Sequence, residues 1–511
     1  MKIVLLLGVV LAQFSQIPYN QRRRPGTKIG EEALSEVNFV RRESVIVDRT
    51  KAEKAVTISL ETSREFLVKA NYAEVPLTVR VRVEDAEWVT RSRLGLDLVV
   101  VLDVSGSMAG EKMKLLKESM KFIIDNLKPS DRLGIVSFSE DSRVHSFLRR
   151  MDESGRAAAK QIVEKLVAEG STNIKAGMDD GYRIFRQRKF KNEVNSILLL
   201  SDGQDTVGNT MSDFRAQAEE FDRYMRKEGE RYKVNSFGYG TDHDEEVLSY
   251  FATLTAGGFY YIKQAEELSS VFIDSVGLLL SVFAKDASIA VLLEPRAEFV
   301  ENFGEAWIPP AQADLMRVAG DFSPRFSSAG RRTGLVRVDY LSAGMDRSFV
   351  STIGIRLGRE DLASTRAIPL AFAVLSFSSD SGTSRLTTSL EKFVRDSAGK
   401  VNGRVEEDFL RSRSAETLKK ARADAKAGDL EKARSALTSF NTQVMASPNV
   451  SSEFKSKVSS LLNPEAISDT KQAAQGYAAL QNQQFSSSTA NFAKPQNRVQ
   501  SSLAANFAAR S

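Results

Sequence analysis

The chemistry-bearing residues of this chain gather first at an abrupt change of hydropathy. Leu98-Val-Val-Val-Leu-Asp-Val-Ser-Gly-Ser-Met108 runs from apolar residues into Asp103, Ser105 and Ser107, spaced two apart around Gly106. One carboxylate and two hydroxyls, with no cysteine in the chain and no histidine nearby, form a hard-oxygen set suited to Mg²⁺ or a similar cation rather than to zinc. Gly106 gives the backbone the freedom to turn both hydroxyls toward one point. Asp-x-Ser-x-Ser is a weak pattern by itself. Its weight comes from the uninterrupted apolar run before it, which reads as a buried parallel strand, because ligands bind at the carboxyl ends of such strands in open α/β sheets.

Matching groups recur downstream. Thr172 lies in Glu169-Gly-Ser-Thr-Asn-Ile174, between two helical stretches, and Asp202 follows the apolar run Ser196-Ile-Leu-Leu-Leu200. If the strands ending at Leu102 and Leu200 are neighbours, Asp103, Ser105, Ser107 and Asp202 meet at one sheet edge, and Thr172 reaches them from its loop.

The elements that must position these residues follow from periodicity. Residues 95–285 alternate strands with helices. Met113, Leu116, Met120, Ile123 and Ile124 stripe a first helix, and a second stops at Gly170. A third spans about Ile174 to Arg188, and Phe214, Ala218, Phe221 and Met225 stripe a fourth. Leu133 to Phe138, Lys233 to Tyr239 and Gly258 to Ile262 are further strands, Val144 to Leu148 is a short edge, Glu245 to Leu254 is a helix, and Glu266 to Phe283 is a closing helix. Such alternation predicts a doubly wound parallel sheet covered on both faces.

On either side the period changes to two. Residues 54–94, with Ala55 to Leu60 and Val75 to Val83, form a β segment expected to pair with residues 286–380 in a β-sandwich-like domain that the α/β unit interrupts. Residues 384–468 read as a helical hairpin region turning at Ala427-Gly-Asp429, and the Gln/Asn/Ser-rich tail at 469–511 reads as disordered. Residues 1–16 have the basic start and short apolar run of a secretory signal peptide, with Val10-Leu-Ala12 as its cleavage pattern, and 17–53 form a linker. Secretion to an extracellular location is therefore expected, with an intracellular scaffold as the alternative; no other transmembrane segment is expected.

Composition narrows the function. A net charge of +5 from 71 basic and 66 acidic residues is too diffuse to argue for a nucleic-acid partner. The absence of cysteine excludes disulfides, zinc ribbons and thiol catalysis. A phosphatase built on Asp103 would want a second carboxylate where Ser105 stands, and a serine hydrolase elbow would want glycine at that same place before Ser107. No Gly-x-x-x-x-Gly-Lys-Ser/Thr phosphate loop is present. His145 and His243 have no motif around them and read as ordinary surface or strand-end residues, and Asp205 reads as a solvated loop acid.

Asp103-Val-Ser-Gly-Ser107, Thr172 and Asp202, in this order, resemble the von Willebrand factor A domain with its metal-ion-dependent adhesion site, over residues 95–285. The resemblance implies direct bonds from Ser105 and Ser107 to Mg²⁺ or Mn²⁺, with Thr172 bound directly or through water. It implies that Asp103 and Asp202 act through water and set the charge, and that one position is left for an Asp or Glu of a protein partner. Pro129-Ser-Asp-Arg132 and Leu199-Leu-Ser-Asp-Gly-Gln-Asp-Thr206 resemble A-domain proteins of plants, protists and bacteria. Several plant members pair the domain with a RING finger and act as ubiquitin ligases; a chain without cysteine has no RING. The flanking β segments resemble, less specifically, the inter-α-trypsin inhibitor heavy chains. The expectation is a cation-dependent interaction or adhesion module without catalysis. The alternatives are a structural scaffold with an unoccupied site and a metal-dependent hydrolase.

Overall fold

The computed structural model describes residues 51–464 except 87–88, 90–92, 240–242, 263–274, 305, 310, 327–331 and 380–381. The signal peptide, the linker up to residue 50 and the tail at 469–511 lie outside the described residues.

In chain order, a short helical turn leads into β1 (Val56–Thr62), β2 (Leu67–Val68) and β3 (Tyr72–Val83). Then come β4 (Leu96–Asp103), α1 (Glu111–Asn126), β5 (Arg132–Phe138), β6 (Ser142–Arg150), α2 (Glu153–Glu164) and α3 (Ile174–Gln187). They are followed by β7 (Val194–Ser201), α4 (Met211–Lys227), β8 (Lys233–Tyr239), α5 (Glu245–Leu254) and β9 (Phe259–Ile262). Strands resume with β10 (Val282–Leu293), β11 (Ala297–Asn302) and β12 (Trp307–Ile308), then helix α6 (Gln312–Ala319), then β13 (Thr333–Ser342), β14 (Asp346–Arg356), β15 (Ile368–Ser379), β16 (Gly382–Lys392) and β17 (Val394–Arg395). Three helices, α7 (Gly403–Lys426), α8 (Leu430–Ala446) and α9 (Ser452–Leu461), complete the described chain.

The α/β unit is a six-stranded sheet in the order β6-β5-β4-β7-β8-β9, parallel except for β6, which runs antiparallel on β5. Every residue of β4, β5 and β7 is buried, as two helical layers require. Along β4, Leu98, Val100 and Leu102 enter one core with Met113, Leu116, Met120 and Ile123 of α1. Val99 and Val101 enter the other with Ile174 and Met178 of α3 and Phe214 and Phe221 of α4. The chain leaves β4 toward β5 on one side and returns to β7 on the other, so the strand order reverses between β4 and β7. That reversal opens a crevice beyond their carboxyl ends.

β3 pairs antiparallel with β14, from Arg82 opposite Asp346 to Tyr72 opposite Arg356, so strands on either side of the α/β unit share a sheet. This sheet, β1-β3-β14-β11, packs on a second, β12-β13-β10-β15-β16. Leu77, Val79 and Val81 of β3 share a core with Ile289 and Val291 of β10 and Leu375 and Phe377 of β15. The outer face of β10 carries Ala290 and Leu292 into a smaller core under Leu315 and Val318 of α6.

Several boundaries differ from expectation. Residues 384–392, placed in the helical region, belong to β16. Leu386 and Leu390 are four apart, a spacing that fits a helix and a strand equally, and Thr387 and Thr388 between them favour the strand. Val282 and Phe283, expected to end a closing helix, begin β10; residues 275–279 of that expected helix are helical, and 266–274 lie outside the described residues. α2 ends at Glu164, well before Gly170. β11 and α6 were not expected.

At the carboxyl side, Asp429 caps α8 by accepting from Lys432 N, and Leu418 and Ala421 of α7 pack against Ala433 and Leu437 of α8. No helix among the described residues is long and apolar enough to cross a membrane.

Candidate metal centre

The crevice at the ends of β4 and β7 holds all five residues singled out in the sequence. Leu102 of β4 lies beside Leu200 of β7, so the register brings Asp103 and Ser201-Asp202 to one level. Asp103 then folds its own loop: its Oδ1 accepts from Ser105 N at 2.8 Å, a side-chain turn that Asp favours. Its Oδ2 accepts from the Ser201 hydroxyl at 2.6 Å, tying the ends of the two strands together.

The hydroxyls are chained. Ser105 Oγ lies 3.0 Å from Ser107 Oγ, and Ser107 Oγ donates to Asp202 Oδ1 at 2.7 Å. Thr172 is delivered by backbone contacts: Glu169 N donates to Val104 O at 2.7 Å and Gly106 N to Gly170 O at 3.0 Å, laying one loop along the other. A clamp from Thr206 fixes Thr172 itself, with the Thr206 hydroxyl accepting from Thr172 N at 2.8 Å and Thr206 N donating to Thr172 O at 2.9 Å. Gly203 forms the floor: a β-carbon there would lie 3.2 Å from Thr172 Oγ1 and 3.7 Å from Ser107 Oγ. The third motif therefore touches the first and the second at a position where a side chain would crowd both.

Asp103 and Asp202 are 0% and 1% exposed, whereas Ser107 is exposed at the mouth. Two carboxylates buried this closely need positive charge. Burial pushes the Asp103 carboxyl above its ordinary range, the Ser105 and Ser201 hydrogen bonds pull it back, and the negative charge of Asp202 adds to the rise. The cation at hand is Lys112 in the first turn of α1, whose Nζ donates to Asp202 Oδ2 at 2.5 Å. The carboxylates keep a net negative charge after this pairing, and three hydroxyl oxygens converge beside them. The donor set thus fits a hard divalent cation in charge and in chemistry.

Sequence reasoning missed three contributors: Ser201, Thr206 and Lys112. Thr206 and Ser201 stand in the stretch around Asp202, but their partners are set by loop packing. Asp205 accepts from Val207 N at 3.3 Å and Asn209 N at 3.1 Å and shapes its own loop. His145 is half-buried on β6 with Nε2 2.7 Å from Ser137 Oγ, and burial together with Arg143 lowers its pKa. His243 is buried rather than at the surface, its ring filling the space over Gly238, where a β-carbon would come within 2.3 Å of Cδ2.

The α/β unit has known relatives. Residues 97–273 match the von Willebrand factor type A domain. The uncharacterized Escherichia coli protein YfbK is 29% identical over 201 residues, 39% of this chain and 34% of that protein. The Arabidopsis thaliana E3 ubiquitin-protein ligase WAV3 is 34% identical over 146 residues, 28% of this chain and 20% of the ligase. A von Willebrand factor type A protein from Catenulispora acidiphila shares the fold with a TM-score of 0.60 at 17% identity, across 83% of this chain and 96% of its own. That likeness extends past the α/β unit into the flanking parts. This chain spans about a third to a half of the length of the curated bacterial relatives it matches.

Proposed function

With a von Willebrand factor type A domain at residues 97–273, we propose that this chain is a divalent-cation-dependent protein-binding module whose metal site is completed by a carboxylate of the partner. The observation that carries the reading is the meeting of two buried carboxylates and three hydroxyls at the crevice between β4 and β7. Ser105, Ser107 and Thr172 would offer hydroxyl oxygens to Mg²⁺ or Mn²⁺, and Asp103 and Asp202 would supply the negative charge. When bound, the dication supplies an electrophilic centre that accepts a carboxylate oxygen from outside. Asp103 and Asp202 balance the charge of a dication, which leaves a position open to the carboxylate of a partner's Asp or Glu.

The contacts of Ser107 favour binding over hydrolysis. Among the described residues its hydroxyl is bonded to Ser105 and Asp202, and the other oxygen of Asp202 is held by Lys112, so no neutral base is set to activate it. The test is capture of a partner from the native source by the full chain. Capture is expected to disappear in EDTA and return with added Mg²⁺, and capture that persists in EDTA contradicts the proposal.

A further inference from the structure

Lys112 is the feature of the site that the oxygen ligands do not explain. It occupies the first helical turn of α1, where the helix dipole disfavours a positive charge. What holds it there is Asp202, whose Oδ2 lies 2.5 Å from the ammonium while Oδ1 takes the Ser107 hydroxyl at 2.7 Å. The carboxylate is fully buried, and the Lys112 side chain is 33% exposed, so the ammonium covers a buried anion from the solvent side. It also lies 5.9 Å from the centre of the Tyr239 ring, which gives it an apolar wall beside the carboxylate.

The two aspartates differ in this respect. Both donors to Asp103 belong to short, fixed groups, a backbone N–H and a serine on β7. One donor to Asp202 is the end of a long side chain with open solvent on one side, able to swing away without moving the backbone. An ammonium and a divalent cation cannot both hold the same carboxylate oxygen.

We propose that Lys112 is a tethered competitor cation: it occupies Asp202 in the absence of a dication and must be displaced for the dication to bind. This role rests on the reading of Asp103, Ser105, Ser107, Thr172 and Asp202 as a metal site. It makes metal affinity lower, and the metal-free protein more stable, than the same oxygen set would give with an uncharged residue at position 112. The site thereby exists in two states that differ in which cation faces Asp202.

The test compares the full-length wild type, Lys112→Met and Lys112→Arg by calorimetric titration with Mn²⁺ and by thermal unfolding in EDTA. Lys112→Met is expected to tighten Mn²⁺ binding by roughly tenfold, since one neighbouring cation is removed from the competition. It is also expected to unfold at lower temperature in EDTA, because Asp202 loses its partner. Lys112→Arg keeps the charge and is expected to stay near the wild type in both readouts. Unchanged or weaker Mn²⁺ binding by Lys112→Met, with a wild type that binds, overturns the competitor role alone. A wild type that takes no Mn²⁺ overturns the metal-site reading beneath it.

Discussion

Asp103 and Asp202 carry the same functional group in the same crevice, and their donors give them different parts. Asp103, held by Ser105 N and Ser201 Oγ, is a structural anchor that joins the ends of β4 and β7 as well as a source of charge. Asp202 takes the Ser107 hydroxyl and the ammonium of Lys112, the end of a long, part-exposed side chain. A second lysine shows what burial does without such a carboxylate contact. Lys233, at the start of β8, lines a cavity with Tyr340 and Arg347, and its ammonium lies 5.4 Å from the Tyr340 ring centre. Burial lowers its pKa to about 8 from 10.5, Asp339 acts in the opposite sense, and Arg347 and Arg337 add to the lowering. Below about 8 the folded chain holds the ammonium against that penalty. Between about 8 and 10.5 the folded state releases its proton while the unfolded state keeps it, so stability from this group rises with pH across that window. Lys233→Met is therefore expected to raise the unfolding temperature near neutral pH by roughly 2–4 °C. The gain should shrink above pH 8, and a melting temperature lowered near neutral pH and in the alkaline range alike would contradict the argument.

At the scale of elements, the site depends on how closely α3 lies on the sheet, because Thr172 sits two residues before its first turn. The approach is set by Gly177, where a β-carbon would come 2.6 Å from Phe138 Cδ1 and 3.0 Å from Val101 Cγ1. Gly177→Val is expected to lift the helix, to reduce stability by about 1–3 kcal/mol in urea unfolding, and to weaken Mn²⁺ binding as Thr172 moves. Stability and affinity equal to wild type would show that the packing does not position Thr172. Much of this architecture is legible in the sequence, since the apolar runs at Leu98 to Leu102 and Leu198 to Leu200 and the stripes of α1, α3 and α4 admit few arrangements. The candidate site residues are legible because Asp103, Ser105 and Ser107 keep fixed spacing after a buried strand. Thr206, Ser201 and Lys112 are not legible in the same way, because each acts on a residue 34 to 98 positions away, through loops whose packing no local period encodes. β16 was obscured for another reason: the interval between Leu386 and Leu390 suits both periods, and it is the pairing with β15 that fixes the strand.

In the whole molecule the α/β unit is held in a frame. The Tyr340 hydroxyl of β13 accepts from Asn195 N of β7 at 3.2 Å and donates to Arg231 O at 3.2 Å, fastening the sandwich to the amino end of the sheet, opposite the candidate metal site. Arg80 of β3 donates to Asp408 of α7 at 2.5 Å and to Asp346 of β14 at 3.0 Å, joining the helical region to the sandwich through a buried charge network. Arg422 of α7 also bonds Glu245 at the start of α5, and the adjacent Asp244 N donates to Gly203 O at 3.1 Å behind Asp202. The helical region therefore touches the support of the third motif, and the intact chain is the right object for measurement. Calorimetric titration of Mg²⁺ into the full-length wild type and into Asp103→Ala tests the central claim most directly. Saturable binding to the wild type and none to the variant is expected; equal affinity in the two would show that Asp103 does not hold the cation.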